Sequence, residues 1–115
     1  MKSGFLNMVM PLAMGIVTIA GLNVAQAAQY YGKTVGKLQG FYDDADCFYF
    51  QLNGVSEADP VKPGDAWFAV SRTQYGAKDA YAMLLAAKIS GKTVNVSTRG
   101  TLTCNYAGIA EITME

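Results

Sequence analysis

This sequence contains no histidine and only two cysteines on which to build chemistry. None of its 115 residues is histidine, so the side chain that most often moves protons near neutral pH is missing. The two cysteines, Cys47 and Cys104, stand downstream of an N-terminus that reads as an export leader. An even count in an oxidising compartment points to one disulfide. A metal pair competes with it, but no histidine and no neighbouring cysteine completes a site. Carboxylates cluster only at Asp43, Asp44 and Asp46. Asp44-x-Asp46 resembles the start of a calcium loop, yet the glycine and later glutamate of an EF-hand are absent, and a solvated hairpin turn is the simpler assignment. No nucleophile elbow, S-x-x-K pair or glycine-rich phosphate loop is present. The expectation is a non-enzymatic protein with no catalytic residue, no metal and no cofactor.

What the chain does supply is aromatic surface. All seven tyrosines, four of the five phenylalanines and the single tryptophan lie beyond residue 27. Flat rings stack on sugar faces, and an arginine fork pairs bidentately with a carboxylate on a charged sugar. The candidate ligand-binding residues are therefore Tyr42, Tyr49, Arg72, Tyr75 and Arg99, with ordinary packing as the competing explanation for each. Trp67 is assigned to the core, because apolar strand residues surround it.

Positioning these side chains is the task of a small domain. Residues 1–27, "MKSGFLNMVMPLAMGIVTIAGLNVAQA", have one lysine, an apolar stretch broken by Asn7, Pro11 and two glycines, and a closing Ala25-Gln26-Ala27. That is the pattern of a cleaved secretory signal peptide; the interruptions and the small-x-small ending count against a retained membrane anchor. Removing it leaves 28–115 as a single domain, secreted or periplasmic, with no membrane span in the mature chain. The leader takes Lys2 from the nine basic residues, against nine acidic ones, so the mature balance is −1. Such a chain has no basic field to hold nucleic acid. A Cys47–Cys104 bond would stabilise a domain this small by about 4 kcal/mol in the chain-entropy picture.

The elements read as β-β-β-α-β-β. Thr34 to Tyr42 is a strand with a bulge at Gly36, since Val35 and Leu38 share a face only if a residue is inserted between them. Cys47 to Leu52 alternates cleanly, with Phe48, Phe50 and Leu52 on one face. Ala66 to Ser71 is a third strand and Ala77 to Ser90 a helix, with Asp79 in its first turn, Lys88 in its last and Gly91 beyond. "KTVNVST" is a strand turned by Arg99-Gly100. Cys104 opens the last strand, on which Ala110, Ile112 and Met114 share a face. Three strands, a helix and a closing hairpin form the order of an OB-fold, a five-stranded barrel; an α+β domain with an open antiparallel sheet is the alternative.

The stretches "GKLQGFYDDADCFYFQL" and "WFAVSRTQYGAKDAYAMLLAAKISGKTVNVSTRGTLTCNYAGIAEI" resemble the B subunits of subtilase cytotoxin and related pertussis-like bacterial toxins. The resemblance lies in the aromatic-and-cysteine second strand, the "AVS" strand before the helix and the "GK-V-V" pattern after it. It implies a pentameric ring, a cell-surface glycan as ligand and a toxin A subunit as partner. The family's sialic-acid-holding serine falls near Gly36 here, a departure that puts sialic acid in particular in doubt. The extended C-terminal tail of those subunits is also missing.

One helix face bears on assembly. On a wheel of 100° per residue, Tyr81, Leu84, Leu85 and Ile89 fall in one arc expected to plug the barrel. The opposite arc holds Ala80, Ala82, Met83, Ala86 and Ala87, with Asp79 as its charge. The candidate oligomer face is Asp79, Ala82, Met83 and Ala86; plain exposed alanines, good helix formers, are the alternative. The leading functional expectation is an exported glycan-binding module, and its rival is a periplasmic structural or inhibitory domain that binds protein.

Overall fold

Alternation and glycine placement account for most of the architecture. The computed structural model describes residues 27–115, so the expected leader lies outside the described residues except for Ala27. Seven elements follow in order: β1 (Gln29–Lys33), β2 (Val35–Gln39), β3 (Cys47–Leu52), β4 (Phe68–Ser71), α1 (Ala77–Ser90), β5 (Val94–Thr103) and β6 (Tyr106–Met114). The fold is mainly β with one helix. The strands form one sheet in the order β1-β5-β6-β4-β3-β2. Only β4 and β6 run parallel; the other neighbours are antiparallel.

The five-stranded barrel is corrected to a six-stranded open sheet. The cause lies ahead of Thr34, where the chain is already extended. Gln29 and Tyr30 pair with Ser97 and Val96 of β5, and past a register shift Lys33 pairs with Val94. Gly32, at φ +64, supplies the left-handed residue inside that shift. Beyond Thr34 the chain changes partner, and β2 pairs with β3. The expected irregularity at Gly36 is present as a register shift between Val35 and Lys37. The two edge strands are thus consecutive in sequence, with Thr34 alone between them.

The inner face carries the core. Phe48, Phe50, Leu52, Phe68, Val70, Val94, Val96 and Ile109 are buried there. Phe50 stacks on Phe68 at 4.8 Å between centroids, and Tyr30 meets Phe68 edge-on at 5.9 Å. Burying each phenylalanine contributes about 1.5–3 kcal/mol.

Helix α1 keeps its expected bounds, and Gly91, at φ 74, ends it with its N–H donated to Ala87 O. Its buried stripe, however, is Ala77, Ala80, Leu84 and Ala87. Leu85 and Ile89 are 41% and 79% exposed, so they do not plug the sheet. Alanines at three of the four buried positions let the helix axis lie close to the sheet, and only Leu84 reaches in deeply. Tyr81 is half-buried, edge-on to Phe48 at 5.1 Å.

The last hairpin also differs. Arg99-Gly100 does not turn the chain; β5 runs through it with a register shift between Thr98 and Leu102. The turn is Cys104-Asn105, both left-handed at φ 48 and 69. On β6, Ser97 faces Glu111 and Thr98 faces Ile109, which leaves Ala110 bulged out. Ile109 and Ile112 therefore point inward, three residues apart, while Ala110 and Met114 are exposed. No helix among the described residues is long and apolar enough to cross a membrane.

Candidate functional site

The outer face of the sheet holds a second, smaller apolar cluster. Residues directly opposite on neighbouring strands point to the same face. Gln39 of β2 faces Tyr49 of β3, Tyr49 faces Ala69 of β4, and Ala69 faces Gly108 of β6. This row runs from a large ring to almost no side chain at all, so it leaves a trough. A side chain at Gly108 would collide with Thr103 Oγ1, so Thr103 must shift before a larger residue fits. Trp67 and Tyr106 stand two residues before Ala69 and Gly108 and wall the trough at one end.

The outcome is a cleft of about 190 Å³ lined by Gln39, Tyr42, Tyr49, Trp67 and Tyr106. Tyr49 and Tyr106 meet edge to face, 5.5 Å between centroids. Lys62 Nζ lies 3.9 Å above the Tyr106 ring, donates to Asn105 O at 2.6 Å and sits 3.7 Å from Asp65 Oδ2. Asp65 Oδ1 in turn accepts the Trp67 backbone N–H at 2.9 Å, which fixes where the indole leaves the chain. Gln39 Nε2 donates to Phe41 O at 3.0 Å and holds the segment that carries Tyr42. Burial pushes the Tyr49 phenol above its ordinary value of 10.0, with Tyr106 and Tyr42 adding to the rise. The lining side chains are thus uncharged and mostly aromatic, with the Lys62–Asp65 pair against Tyr106 as the nearest charges.

Beneath it lies the disulfide. Cys47 and Cys104 are bonded, with Cα atoms 6.6 Å apart. Cys47 packs with Tyr49, Ala69, Trp67 and Tyr106, so the bond anchors the β5–β6 turn to β3 below the rings.

Of the five expected ligand residues, the structure brings Tyr42 and Tyr49 together. Arg72 is turned to structural use: its guanidinium donates to Gly40 O, lies 3.9 Å from Asp46 Oδ1 and covers the Phe48 ring. Tyr75 is fully exposed beside the helix start, and Arg99 is exposed on the irregular stretch of β5; neither lines the cleft. Trp67, expected in the core, is half-buried on the outer face instead. The signal was available, because Phe68 and Val70 pointing inward force Trp67 and Ala69 outward. Gln39 and Tyr106 were not anticipated, since only the sheet order brings β2 and β6 alongside β3 and β4. On α1, Asp79, Ala82 and Ala86 are exposed and Met83 half-buried, whereas Ala80 and Ala87 of the same expected arc are buried.

Neither the protein-family models nor the curated proteins compared with this chain match it.

Proposed function

We propose that this protein is an exported, non-enzymatic binding module that takes a saccharide in its outer-face cleft. The observation that carries this is the convergence of Tyr42, Trp67 and Tyr106 around one trough, with the buried Tyr49 (3% exposed) beneath and Gln39 at its rim. Aromatic faces stack on the C–H face of a sugar ring, while amide and phenol groups meet its hydroxyls. At about 190 Å³ the cleft is smaller than the roughly 300 Å³ at which drug-sized pockets begin, which suits a single terminal unit. All five lining side chains are uncharged, and that favours a neutral sugar over a sialylated one. The resemblance to toxin B subunits is consistent with cell-surface glycan recognition outside the producing cell.

Trp67 is the only tryptophan, so its fluorescence reports on the cleft directly. Titrating neutral mono- and oligosaccharides into the mature protein, alongside a glycan array, is the test. A saturable change in emission that Tyr42→Ala weakens supports the proposal. An unchanged spectrum together with an empty array removes it.

A second reading, a protein-binding domain, is favoured by the outward stripe of α1. Ala82, Leu85, Ala86 and Ile89 are all exposed, an apolar surface of the kind that partners cover. A cyclic pentamer through this stripe, and docking on a toxin A subunit, are forms of that reading. Light scattering decides the first: a pentamer dissociated by Ala82→Glu supports the ring, and a monomer at micromolar concentration excludes it.

A further inference from the structure

Asp59 is the one carboxylate sealed inside the molecule. It is fully buried, and the ion pairs among the described residues, Lys62–Asp65 and Arg72–Asp46, leave it out. A charge taken out of water needs a counter-charge or a full set of donors. Two donors are in place. The Val61 N–H reaches Oδ1 at 2.8 Å, and the Thr98 hydroxyl donates to Oδ2. Thr98 is itself 3% exposed.

The partner of Thr98 on its far side is the nitrogen of Ala28. Ala28 N donates to Thr98 Oγ1 at 2.7 Å, and Thr98 N donates to Ala28 O at 2.9 Å. A relay therefore runs from the Ala28 nitrogen through one hydroxyl to a buried carboxylate. Ala28 is also the first residue after Ala25-Gln26-Ala27, the small-x-small run that a signal peptidase accepts.

We propose that Ala28 is a processing-generated docking head: cleavage of the Ala27–Ala28 bond turns its nitrogen into the counter-charge of Asp59. Water adds across that peptide bond, leaving a carboxylate on Ala27 and an α-ammonium on Ala28. The amide offers Thr98 one hydrogen and no charge. The ammonium offers three hydrogens and a full positive charge two hydrogen bonds from Asp59, in a part-buried setting that screens charge less than bulk water does. Maturation then strengthens the tie already made between the start of β1 and Thr98 of β5, beside the Gln29–Ser97 pair. The other titratable groups nearby are Tyr30, whose hydroxyl donates to Glu57 O at 2.5 Å, and Glu57 itself. Burial holds the Tyr30 phenol above its ordinary 10.0, so it stays neutral, and only the Glu57 carboxylate lies near enough to add to the demand for a cation. The inference is independent of the cleft and rests only on where the leader is cut.

Three measurements test it. Intact mass of the exported product should correspond to a chain starting at Ala28; any other start overturns the proposal. Protein made to begin at Ala28 should melt about 5 °C above the same chain α-acetylated or extended back to Gln26, and the gap should vanish in Asp59→Asn. Equal melting points, or a gap that persists in Asp59→Asn, overturn it. Should Asp59→Asn not fold, the α-amine of the Ala28-initiated, ¹³C-labelled protein, followed by NMR through the Ala28 Cα and Cβ shifts on pH titration, decides alone. A pKa above the ordinary range of about 7.7–8.0 supports the pair, and one within or below that range refutes it.

Discussion

Across β3 and β4, Tyr49 faces Ala69, and the alanine packs in the small cluster beneath the cleft's rings. Ala69 is fully buried under the rings. Ala69→Val adds two methyl groups where no space is free, at a cost of about 1–3 kcal/mol. We expect the rings above it to be pushed outward and saccharide affinity to fall at least tenfold while the protein stays folded. Urea unfolding and Trp67 fluorescence titration measure the two effects separately.

Gly108 continues the same row and is held to glycine by contact. A Cβ would collide with Thr103 Oγ1 and stand 3.2 Å from Thr103 Cβ and 3.3 Å from the Thr101 carbonyl. Gly108→Ala should destabilise the hairpin by about 2 kcal/mol. Adding Thr103→Ala should recover only part of that, because the backbone carbonyl remains in the way. Full recovery in denaturant melts would show that the carbonyl contact is unimportant.

Removing the disulfide should be costly for a domain of this size. The bond joins cysteines 57 residues apart, and closing a loop of that length is worth about 4 kcal/mol. Cys47→Ala with Cys104→Ala should lower stability by roughly that amount. It should also loosen the cleft, since Cys47 packs against Tyr49 and Trp67. Chemical denaturation and saccharide titration of the double variant read out both.

Alkali should weaken the fold through two phenols. Burial raises Tyr49, and burial with Glu57 and Asp59 raises Tyr30, above the ordinary 10.0. A group whose folded-state pKa is raised holds its proton more tightly in the folded chain. Its stabilising share is complete below pH 10 and is lost as pH rises through the folded-state values. Stability attributable to these residues should be flat from pH 7 to about 9.5 and fall above 10, and Tyr30→Phe should flatten the fall. Phenolate absorbance during pH titration follows the ionisation itself.

Sequence pattern carried the regular parts of this fold and failed where neighbours decide. Cys47–Leu52 alternates so plainly that its faces follow from the residues alone, and Gly91 marks the end of α1. The helix's own burial did not follow. Apolar residues occupy nearly every side of it, so Leu85 and Ile89 look as core-like as Leu84 until the sheet beneath is known. Arg99-Gly100 has the composition of a turn, yet pairing with β6 holds it extended and moves the reversal to Cys104-Asn105. β1 escaped notice because Gly32 and two adjacent tyrosines obscure its alternation. The cleft was half legible: Tyr42 and Tyr49 could be named, but Gln39 and Tyr106 join them only through a strand order that no local pattern encodes.

Because Thr34 alone separates the two sheet edges, the segment of this domain that is synthesised first is completed last. β2 finds its partner within a short hairpin, but β1 must wait for Ser97 and Val96 to leave the ribosome, and the Ala28–Thr98 bond spans 70 residues. Until then Gln29–Lys33 is an unpaired strand on a nascent chain, open to any other extended peptide. A factor that holds extended chain would protect that strand during the interval when the chain is most open to mispairing.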